Sequence, residues 1–565
     1  MKKYLNKYSR LLLTLLLGVC VFLFWRIRYP FALTFQEQFQ LFLFDDDYFL
    51  SLIAEPGGFA KYVAEFLVQF YNSVTLGAAI LAILMMLVQR LTWRLMHSEE
   101  HYMLSFIPVA MLWYAMGDEN VMLTYVVALV IALAVSWLVS GVVRSKISPK
   151  RQTLVLAIAL FVLLPLLYWL LGPMVLLVAL CTLPVSIIWG FAIMVLSTHF
   201  LPYPLSRIML GIDYYRSPEV VSYMLIVIPV IIWILTIVVR RLPKPHTWVL
   251  WLESLIVTAV VIGCPEFNFD ARKYELIEYD YLVRVRDWQG VIAKAEKKLP
   301  DLPMSVSATN LALAMTNQLG ERAFDFYQRG SEGLLPGFER NYATIQLTGE
   351  IYFFLGLVNT AQRLAFESME AIPNYNKSAR VVKRLAETNL INGQYKVAEK
   401  YLKMLDKTIF YRPWAQRTLA MLGDEKAINN HPLYGTLRRY RLQEDFLFSD
   451  IELDKICGQL FMHNHDNLMA AQYLLMMPLL DKDISRFMQY TQYVQSQVNY
   501  NPRSCQEAIA FNFMQQGQQP PQGLVSPLVL QRMSEFSRMY SSGGKDAPGL
   551  EQFRNTAWYY LIVGK

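Results

Sequence analysis

Long apolar runs recur along the first part of the chain and stop near residue 264. Each run holds about 18 to 25 residues, and a helix that rises 1.5 Å per residue needs about 20 of them to cross a hydrocarbon core of about 30 Å. No run of this length follows residue 265. The pattern therefore predicts a transmembrane module over residues 1–264 and a soluble part after it.

The predicted module has eight strong crossings and one weaker candidate. The weaker candidate, residues 199–212, contains two prolines and Arg207, which a lipid-exposed helix tolerates poorly. The strong segments are 10–27, 72–93, 102–117, 121–143, 153–171, 174–197, 219–239 and 247–264. The predicted outer loop 29–71 lies between the first two.

Basic residues determine the orientation of these crossings, because cytoplasmic loops are enriched in lysine and arginine. Clusters precede the first segment, follow the second and the fourth, and precede the last. They contain Lys2, Lys3, Lys7, Arg10, Arg90, Arg94, Arg144, Lys146, Lys150, Arg151, Arg240, Arg241 and Lys244. All of them face the cytoplasm if the N-terminus is cytoplasmic and residues 199–212 make a ninth crossing. Nine crossings place the C-terminal part outside the cytoplasm, whereas eight place it inside, and we expect nine.

Small residues recur at similar intervals after the transmembrane module. Gly320, Gly356 and Gly393 stand among paired helical patterns and are separated by 36 and 37 residues. This spacing resembles degenerate tetratricopeptide repeats, which stack helical hairpins. The resemblance implies helical repeats over residues 265–425, followed by an irregular α-helical region over 426–565. The repeats either bind a protein partner or only brace the membrane module. The predicted fold class is all-α.

Composition agrees with a membrane protein. The 565-residue chain is 55% hydrophobic and only 17% charged, too apolar for an ordinary soluble enzyme. Its net charge of +7 fits basic cytoplasmic loops, and the soluble part has no basic run interleaved with aromatic residues. We therefore expect membrane lipid and no nucleic acid as a partner. The five cysteines are widely spaced and give neither a disulfide framework nor the ligand spacing of a zinc site.

Two histidine motifs and one acidic residue within a predicted crossing are weaker indications of a functional site. The stretch HSEEH, residues 97–101, matches a zinc pattern in which two histidines share one helix face, but no third ligand accompanies it. The stretch HNHD, residues 463–466, is interpreted as a solvated turn. Glu253, inside an apolar segment, either pairs with a neighbouring segment or is protonated.

Acidic residues gather in the loops that the chosen orientation places outside. The first outer loop contains Glu37 and the aspartates 45–47, and the next contains Asp118 and Glu119. Between these clusters, aromatic residues at helical spacing over residues 59–70 predict a helix in the membrane interface, which follows a Pro-Gly turn. Acidic residues that are merely excluded from the cytoplasmic side and solvated outside would give the same pattern. A catalytic role and a purely solvated role are therefore both possible interpretations of these residues.

The order of these elements resembles the membrane module of GT-C glycosyltransferases. The shared features are the first crossing, an acidic outer loop, interfacial helices, the second crossing and a second acidic outer loop. The resemblance implies sugar transfer from a polyprenyl-phosphate carrier, with Glu37 as general base. It further implies a divalent cation held by Asp47, Asp118 and Glu119. Arg216, in DYYRSPE, is the candidate phosphate contact.

A second function remains open, namely a non-enzymatic scaffold whose helical repeats recruit a partner for envelope assembly. A transporter is disfavoured, because Glu253 and Arg207 are the charged residues that lie away from the ends of the predicted crossings. The phrase EQFQLFLF followed by DYF also resembles an uncharacterised family of Bacteroidota multi-pass membrane proteins. That resemblance implies a bacterial inner membrane with a periplasmic C-terminal part, but no activity.

Overall fold

The computed structural model of the chain describes residues 2–217, 219–242, 245–337, 342–372, 377–442 and 452–564. Within these ranges the regular structure is helical, and β-type pairing is limited to two isolated bridges, Val121 with Tyr215 and Arg329 with Ser331. The predicted all-α fold class is confirmed. The chain forms two compact units, of which the first comprises 1–274, 372–379 and 404–413, and the second comprises 275–371, 380–403 and 414–565.

The first unit contains the long apolar helices. Among the described residues, six helical stretches are long and apolar enough to cross a membrane: Tyr8–Arg28, Val74–Met96, Leu123–Val143, Arg151–Thr182, Met224–Arg241 and Thr247–Asn268. The chain is thus a membrane protein, as predicted. Its helices are α1 (Lys2–Leu23), α2 (Pro30–Glu37), α3 (Asp46–Ile53), α4 (Gly58–Val68), α5 (Val74–Met96), α6 (Ile107–Ala115), α7 (Leu123–Lys146), α8 (Pro149–Leu171), α9 (Val175–Thr182), α10 (Ile187–Ser197), α11 (Leu205–Leu210), α12 (Met224–Val238) and α13 (Thr247–Gly263).

Helices α9 and α10 form a short hairpin. Their 8 and 11 residues reach about 12 Å and about 16 Å, well short of a hydrocarbon core of about 30 Å. The ring of Trp189 in α10 stacks on Phe161 of α8 with centroids 4.8 Å apart, and the hydroxyls of Tyr168 and Ser197 are 2.8 Å apart. Helix α10 therefore runs parallel to α8 and returns to the end of α8 from which α9 departs. The hairpin replaces the single helix predicted at 174–197.

Residues 199–212, predicted as a ninth crossing, contain only the six-residue helix α11. Pro204 precedes this helix, and Gly211, with a φ of 96°, ends it. Six residues give about 9 Å of helix, which does not span a bilayer. The prediction of a helical crossing at this position is therefore wrong.

The loop between α1 and α5 carries the two predicted short helices, α3 and α4. They are joined through Gly57, whose φ of 85° suits glycine. Helix α4 packs against α7 and α8, with Ala60, Ala64 and Val68 buried. Phe59, Tyr62 and other aromatic side chains lie on the opposite, more exposed face, as an interfacial helix requires.

The second unit is built from shorter helices around its own apolar core. These helices are α14 (Ala271–Arg284), α15 (Trp288–Lys297), α16 (Pro303–Met315), α17 (Leu319–Arg322), α18 (Tyr342–Leu355), α19 (Val358–Glu370), α20 (Ala379–Ile391), α21 (Tyr395–Asp406), α22 (Arg412–Leu419), α23 (Glu425–Asn430), α24 (Tyr434–Tyr440), α25 (Leu453–His463), α26 (Leu468–Leu480), α27 (Ile484–Gln497), α28 (Arg503–Gln515), α29 (Pro527–Gly543) and α30 (Ala557–Ile562). Of these, α14, α20, α21 and α22 lie mostly in this unit and have a few residues in the first. Helix α26 is apolar except for Gln472 and is entirely buried, so it is a core helix.

Six turns of the second unit share one backbone conformation. In each, a residue with positive φ ends a helix, and the N–H of the next residue donates to the carbonyl five residues earlier, as in a Schellman motif. The residues with positive φ are Arg286, Asn317, Gly356, Gly393, Lys482 and Gly517. The first five lead directly into the next helix, so these turns generate the antiparallel helix pairs of this unit.

The glycine spacing predicted two of these turns correctly. Gly356 and Gly393 have φ values of 101° and 76°. Gly320 instead lies inside α17, and Asn317, with a φ of 56°, holds the corresponding turn. The resemblance to tetratricopeptide repeats stays a prediction, as does the boundary near residue 425.

A buried ion network joins three helices of the second unit. Arg380 of α20 pairs with Asp280 of α14 at 2.7 Å and with Glu350 of α18 at 3.5 Å. Arg384 pairs with the same Glu350 at 2.6 Å and with Glu387 at 3.1 Å. Burial alone would raise the pKa of Glu350, but the two arginines outweigh burial and hold that pKa below its usual value.

Candidate functional site

The end of α2 carries a run of buried polar side chains. Thr34, Gln36, Glu37, Gln38 and Gln40 are each less than 10% exposed. Burying such groups without hydrogen-bond partners costs about 1–3 kcal/mol each. Among the described residues, the Gln40 Nε2 atom has no hydrogen-bond partner. This stretch therefore buries several polar groups among its apolar side chains.

A residue from far along the chain reaches the Glu37 carboxylate. The Tyr411 hydroxyl lies 3.0 Å from Glu37 Oε1 and 3.3 Å from Oε2, and the Asn72 amide donates to the same hydroxyl at 3.5 Å. The short turn Gln69–Asn72 packs against α2. Both polar side-chain atoms of Gln69 are buried and lack partners among the described residues. Glu37 thus lies in a polar site with hydrogen-bonding capacity left over.

The segment of Tyr411 is fixed to the outer loop at further points. The backbone N–H of Phe44 donates to the Lys407 carbonyl at 2.8 Å, and the Lys407 ammonium pairs with Asp45. The rings of Phe410 and Phe70 meet edge to face at 5.7 Å. Residues 404–413 are accordingly part of the first unit.

Arg216 reaches the same outer stretch as Glu37. Its guanidinium lies 3.6 Å from the ring centroid of Phe39, two residues after Glu37, and the side chain is 6% exposed. The Arg216 N–H donates to the Asn120 carbonyl at 3.0 Å, beside the bridge between Val121 and Tyr215. Arg216 therefore contacts the stretch that carries Glu37, through the ring that lies two residues further along the chain.

Asp118 and Glu119 form polar contacts close to Arg216 in the sequence and at residue 273. The Tyr215 hydroxyl donates to Asp118 Oδ2 at 2.5 Å, and burial, together with Asp118, raises the pKa of Tyr215. Glu119 pairs with Lys273. Since Tyr215 precedes Arg216, Asp118 helps to fix the backbone that presents the guanidinium.

Asp47 lies apart from these two acids, exposed in the first turn of α3. Within the described ranges, no three His, Cys, Asp or Glu side chains form a group that could hold a metal ion. Asp47, Asp118 and Glu119 therefore do not assemble into the predicted cation site.

A second polar cluster, which we call the α4 charge cluster, lies beside α4. It consists of Tyr48, Glu55, Lys61, Glu65, Tyr203 and Asp213. Lys61 pairs with Asp213 at 3.0 Å, the Tyr203 hydroxyl donates to Glu55 at 3.0 Å, and the Tyr48 hydroxyl donates to Glu65. One lysine thus faces several acids, and Glu65 Oε1 is buried with no hydrogen-bond partner among the described residues.

Burial raises the pKa of Glu65 to about 7 from an ordinary value of 4.5, although Lys61 and Tyr48 partly oppose the rise. The folded chain therefore holds this proton more tightly than the unfolded chain. The resulting stabilisation is present below pH 4.5 and is lost as the pH rises through about 7.

We expect the thermal midpoint of the purified chain in detergent to fall between pH 5 and pH 8, and to fall less in Glu65→Gln. This difference between the folded and unfolded pKa values of Glu65 corresponds to a change of about 3 kcal/mol in the free energy of unfolding. Midpoints measured at half-unit pH steps for both proteins test this expectation. Parallel profiles for the two proteins would show that Glu65 is not the group responsible.

The histidine motif of residues 97–101 is not a zinc motif. Helix α5 ends at Met96, and His97 has a φ of 51°, so the two histidines do not share a helix face. His101 Nδ1 instead lies 2.8 Å from Glu253 Oε2, and both side chains are buried. Glu253 therefore has a partner in a neighbouring segment, which is one of the two interpretations given above. His463 is exposed at the end of α25.

A family model described as a family of unknown function, DUF6057, matches residues 5–564. The chain belongs to the DUF6057 family. No curated protein matches it, and no solved structure matches it.

Some candidate functional residues of this DUF6057 protein could not be predicted from its sequence. Tyr411 is 374 residues from Glu37, and nothing in its local sequence distinguishes it from other tyrosines. Lys61 and Glu65 were detectable in principle, because two charges four residues apart in an otherwise apolar helix are costly unless they are paired.

Proposed function

We propose that the chain is a membrane-bound glycosyltransferase of the GT-C kind, which transfers a sugar from a polyprenyl-phosphate carrier at the outer membrane face. Glu37 is the proposed general base, and Arg216 is the proposed phosphate contact. The outer loop and the segment of Tyr411 supply the walls of the site.

The proposed reaction is a substitution at the anomeric carbon. The acceptor hydroxyl gives its proton to Glu37 as its oxygen bonds to that carbon. The bond from this carbon to the phosphate oxygen breaks, and polyprenyl phosphate leaves with the electron pair. The guanidinium of Arg216 stabilises the charge that develops on the leaving phosphate.

The observation that carries this proposal is the contact of Arg216 with the stretch that contains Glu37, since its guanidinium lies 3.6 Å from the ring of Phe39, two residues after Glu37. A base and a phosphate contact must act on opposite sides of one anomeric carbon, so they have to serve a single site. The Tyr411 hydroxyl, 3.0 Å from Glu37 Oε1, occupies the position that an acceptor hydroxyl would take. The unpartnered polar atoms of Gln40 and Gln69 supply hydrogen bonds for sugar hydroxyls.

The proposed location is the bacterial inner membrane, with a cytoplasmic N-terminus and a periplasmic C-terminal part. The short apolar helix Met103–Ala115 follows the first long helix along its length, because the Tyr102 hydroxyl donates to the Arg10 carbonyl at 2.7 Å and the ring of Trp113 lies 5.0 Å from that of Phe24. Counted as a crossing for this reason, it gives seven crossings with the six long helices. The hairpin of α9 and α10 starts and ends on one side and adds none. With seven crossings the basic clusters stay cytoplasmic and residues after Asn268 leave on the outer face. The site of Glu37 then faces the side where polyprenyl carriers present their sugars.

The experiment that tests the function is an analysis of polyprenyl-linked sugars in cells from which the protein is deleted. We expect one lipid-linked sugar to accumulate several-fold and to return to its normal level when the chain is restored. Incubation of that lipid with the purified chain and cell-envelope acceptors should release polyprenyl phosphate. An unchanged pool of lipid-linked sugars would contradict the enzyme and favour a scaffold whose helical repeats bind a partner.

A further inference from the structure

An apolar groove lies between the α9–α10 hairpin and α12. Its cavity volume is about 220 Å³, and α11 covers one end of it. The lining side chains include Leu177, Leu180, Phe191, Met209, Leu210 and Leu225. Because α9 and α10 are too short to cross a bilayer, the space that a full pair of crossing helices would fill is left open here.

The groove continues into the lipid-facing surface of the first unit. Its rim residues Phe191, Met209 and Ile226 are 36%, 40% and 53% exposed. Further exposed apolar side chains extend along α10 and α12, including Ile188 and Ile234. A hydrocarbon chain can therefore enter the groove sideways from the bilayer without crossing a polar surface.

The helix α11, which contributes Met209 and Leu210 to the lining of the groove, also carries a positive charge. Arg207 belongs to α11 and precedes the lining residue Leu210 by three positions, so the two lie on the same helix face. Its guanidinium lies 5.0 Å from the ring centroid of Tyr203. No carboxylate of the described residues lies within ion-pair distance of Arg207, and the hydroxyl of Tyr203 is directed to Glu55 instead.

An arginine beside lipid normally has an anionic partner, because an unpaired charge next to hydrocarbon is costly. Arginine also binds phosphate with two parallel hydrogen bonds, which suits a lipid headgroup. Bilayer phospholipid is the anionic, chain-bearing molecule that is always present beside the opening. The groove and Arg207 are therefore complementary to the two parts of one lipid.

We propose that this groove is a binding site for an anionic phospholipid, with one acyl chain between α9, α10 and α12 and the phosphate on Arg207. This proposal does not depend on the proposed transferase activity. A bound lipid would complete the wall that the short hairpin leaves open.

Native mass spectrometry of the full chain, released from nanodiscs of equal parts phosphatidylglycerol and phosphatidylcholine, tests the proposal. We expect one phosphatidylglycerol to remain bound per wild-type chain. Arg207→Gln should lower the retained fraction about tenfold, since it removes the charge-assisted hydrogen bonds to phosphate. Leu180→Trp, at a half-buried wall position, should displace the acyl chain and have a similar effect.

Arg26→Gln is the matched control, because Arg26 is an exposed arginine away from the groove. It should leave the retained lipid unchanged. An equal loss of retained phosphatidylglycerol in Arg26→Gln and Arg207→Gln would overturn the proposal, because the loss would then depend only on the overall charge of the protein. Retention unaffected by both Arg207→Gln and Leu180→Trp would overturn it as well. If added polyprenyl phosphate displaced phosphatidylglycerol and required the same residues, the phospholipid assignment would be wrong.

Discussion

Glu37→Gln is expected to lower the transfer of sugar to the acceptor at least about 100-fold while leaving the amount of protein in the membrane unchanged. The amide keeps the volume of the side chain and can still accept the hydrogen bond of Tyr411, 3.0 Å away. It cannot take a proton from an acceptor hydroxyl, and general bases contribute about 10²- to 10⁴-fold. The measurement is the level of lipid-linked sugar in cells that carry only the variant.

Asp46→Asn is the matched control for this prediction. Asp46 is an exposed acid in the same outer loop, at the start of α3, and it has no proposed role. Its replacement should leave the lipid-linked sugar at the wild-type level, because exposed substitutions of this kind usually change stability by no more than about 0.5 kcal/mol. If both variants complement the deletion fully, Glu37 is not a base and the transferase proposal fails.

Arg380→Met is expected to destabilise the second unit strongly. It leaves Asp280 and Glu350 buried with a partner removed, and breaking one side of a buried ion pair costs about 3–5 kcal/mol. The midpoint of thermal unfolding of the purified full chain should fall by about 6 to 15 °C. Methionine has a similar volume, so the loss would report on charge rather than on a cavity.

Arg363→Met provides the comparison for Arg380→Met. Arg363 pairs with Glu367 one helical turn away at 2.7 Å, but its side chain is 64% exposed. Exposed pairs of this spacing contribute about 0.3–0.5 kcal/mol, so the midpoint should move by about 1 to 2 °C. Equal shifts for the two variants would mean that the network around Arg380 contributes no more than a surface pair.

Apolar patterning was sufficient to predict the membrane helices but not the hairpin of α9 and α10. Run length alone predicts a crossing at residues 174–197, since the run is long enough and apolar enough. Pro184 interrupts the run, and the contacts of Trp189 and Ser197 with α8 then turn the chain back. Hydropathy does not encode such tertiary contacts. Because residues 174–197 were counted as a crossing, the weak segment 199–212 had to be counted as another one to keep the basic clusters on one side, and it does not form a crossing helix.

The turns of the second unit show a similar limit of prediction from sequence patterns. Glycine spacing identifies a turn only where glycine occupies the left-handed position, as at Gly356 and Gly393. Arg286, Asn317 and Lys482 adopt the same conformation at a higher local energy, and the hydrogen bonds of the turn and the packing of the helices compensate. These turns are therefore more alike in backbone conformation than in sequence.

The candidate site was predictable in part. Glu37, Asp118 and Glu119 were singled out because acids gather in two predicted outer loops in an order that resembles GT-C glycosyltransferases, and Arg216 was the candidate phosphate contact. Their arrangement depends on the pairing of Val121 with Tyr215 and on the contact of Arg216 with Phe39, which no local pattern encodes. The separation of Asp47 from the other two acids follows from the same folding of the loops.

The inclusion of residues 404–413 in the first unit determines when that unit can be completed during synthesis. The ribosome has to make well over a hundred residues after the last apolar helix, Thr247–Asn268, before Tyr411 can reach Glu37. Until then the outer loop lacks the Lys407 ion pair and the Tyr411 hydroxyl. Premature termination of translation after the membrane helices would therefore leave the site of Glu37 without Tyr411 and Lys407, so the completion of this site depends on chain that is synthesised much later.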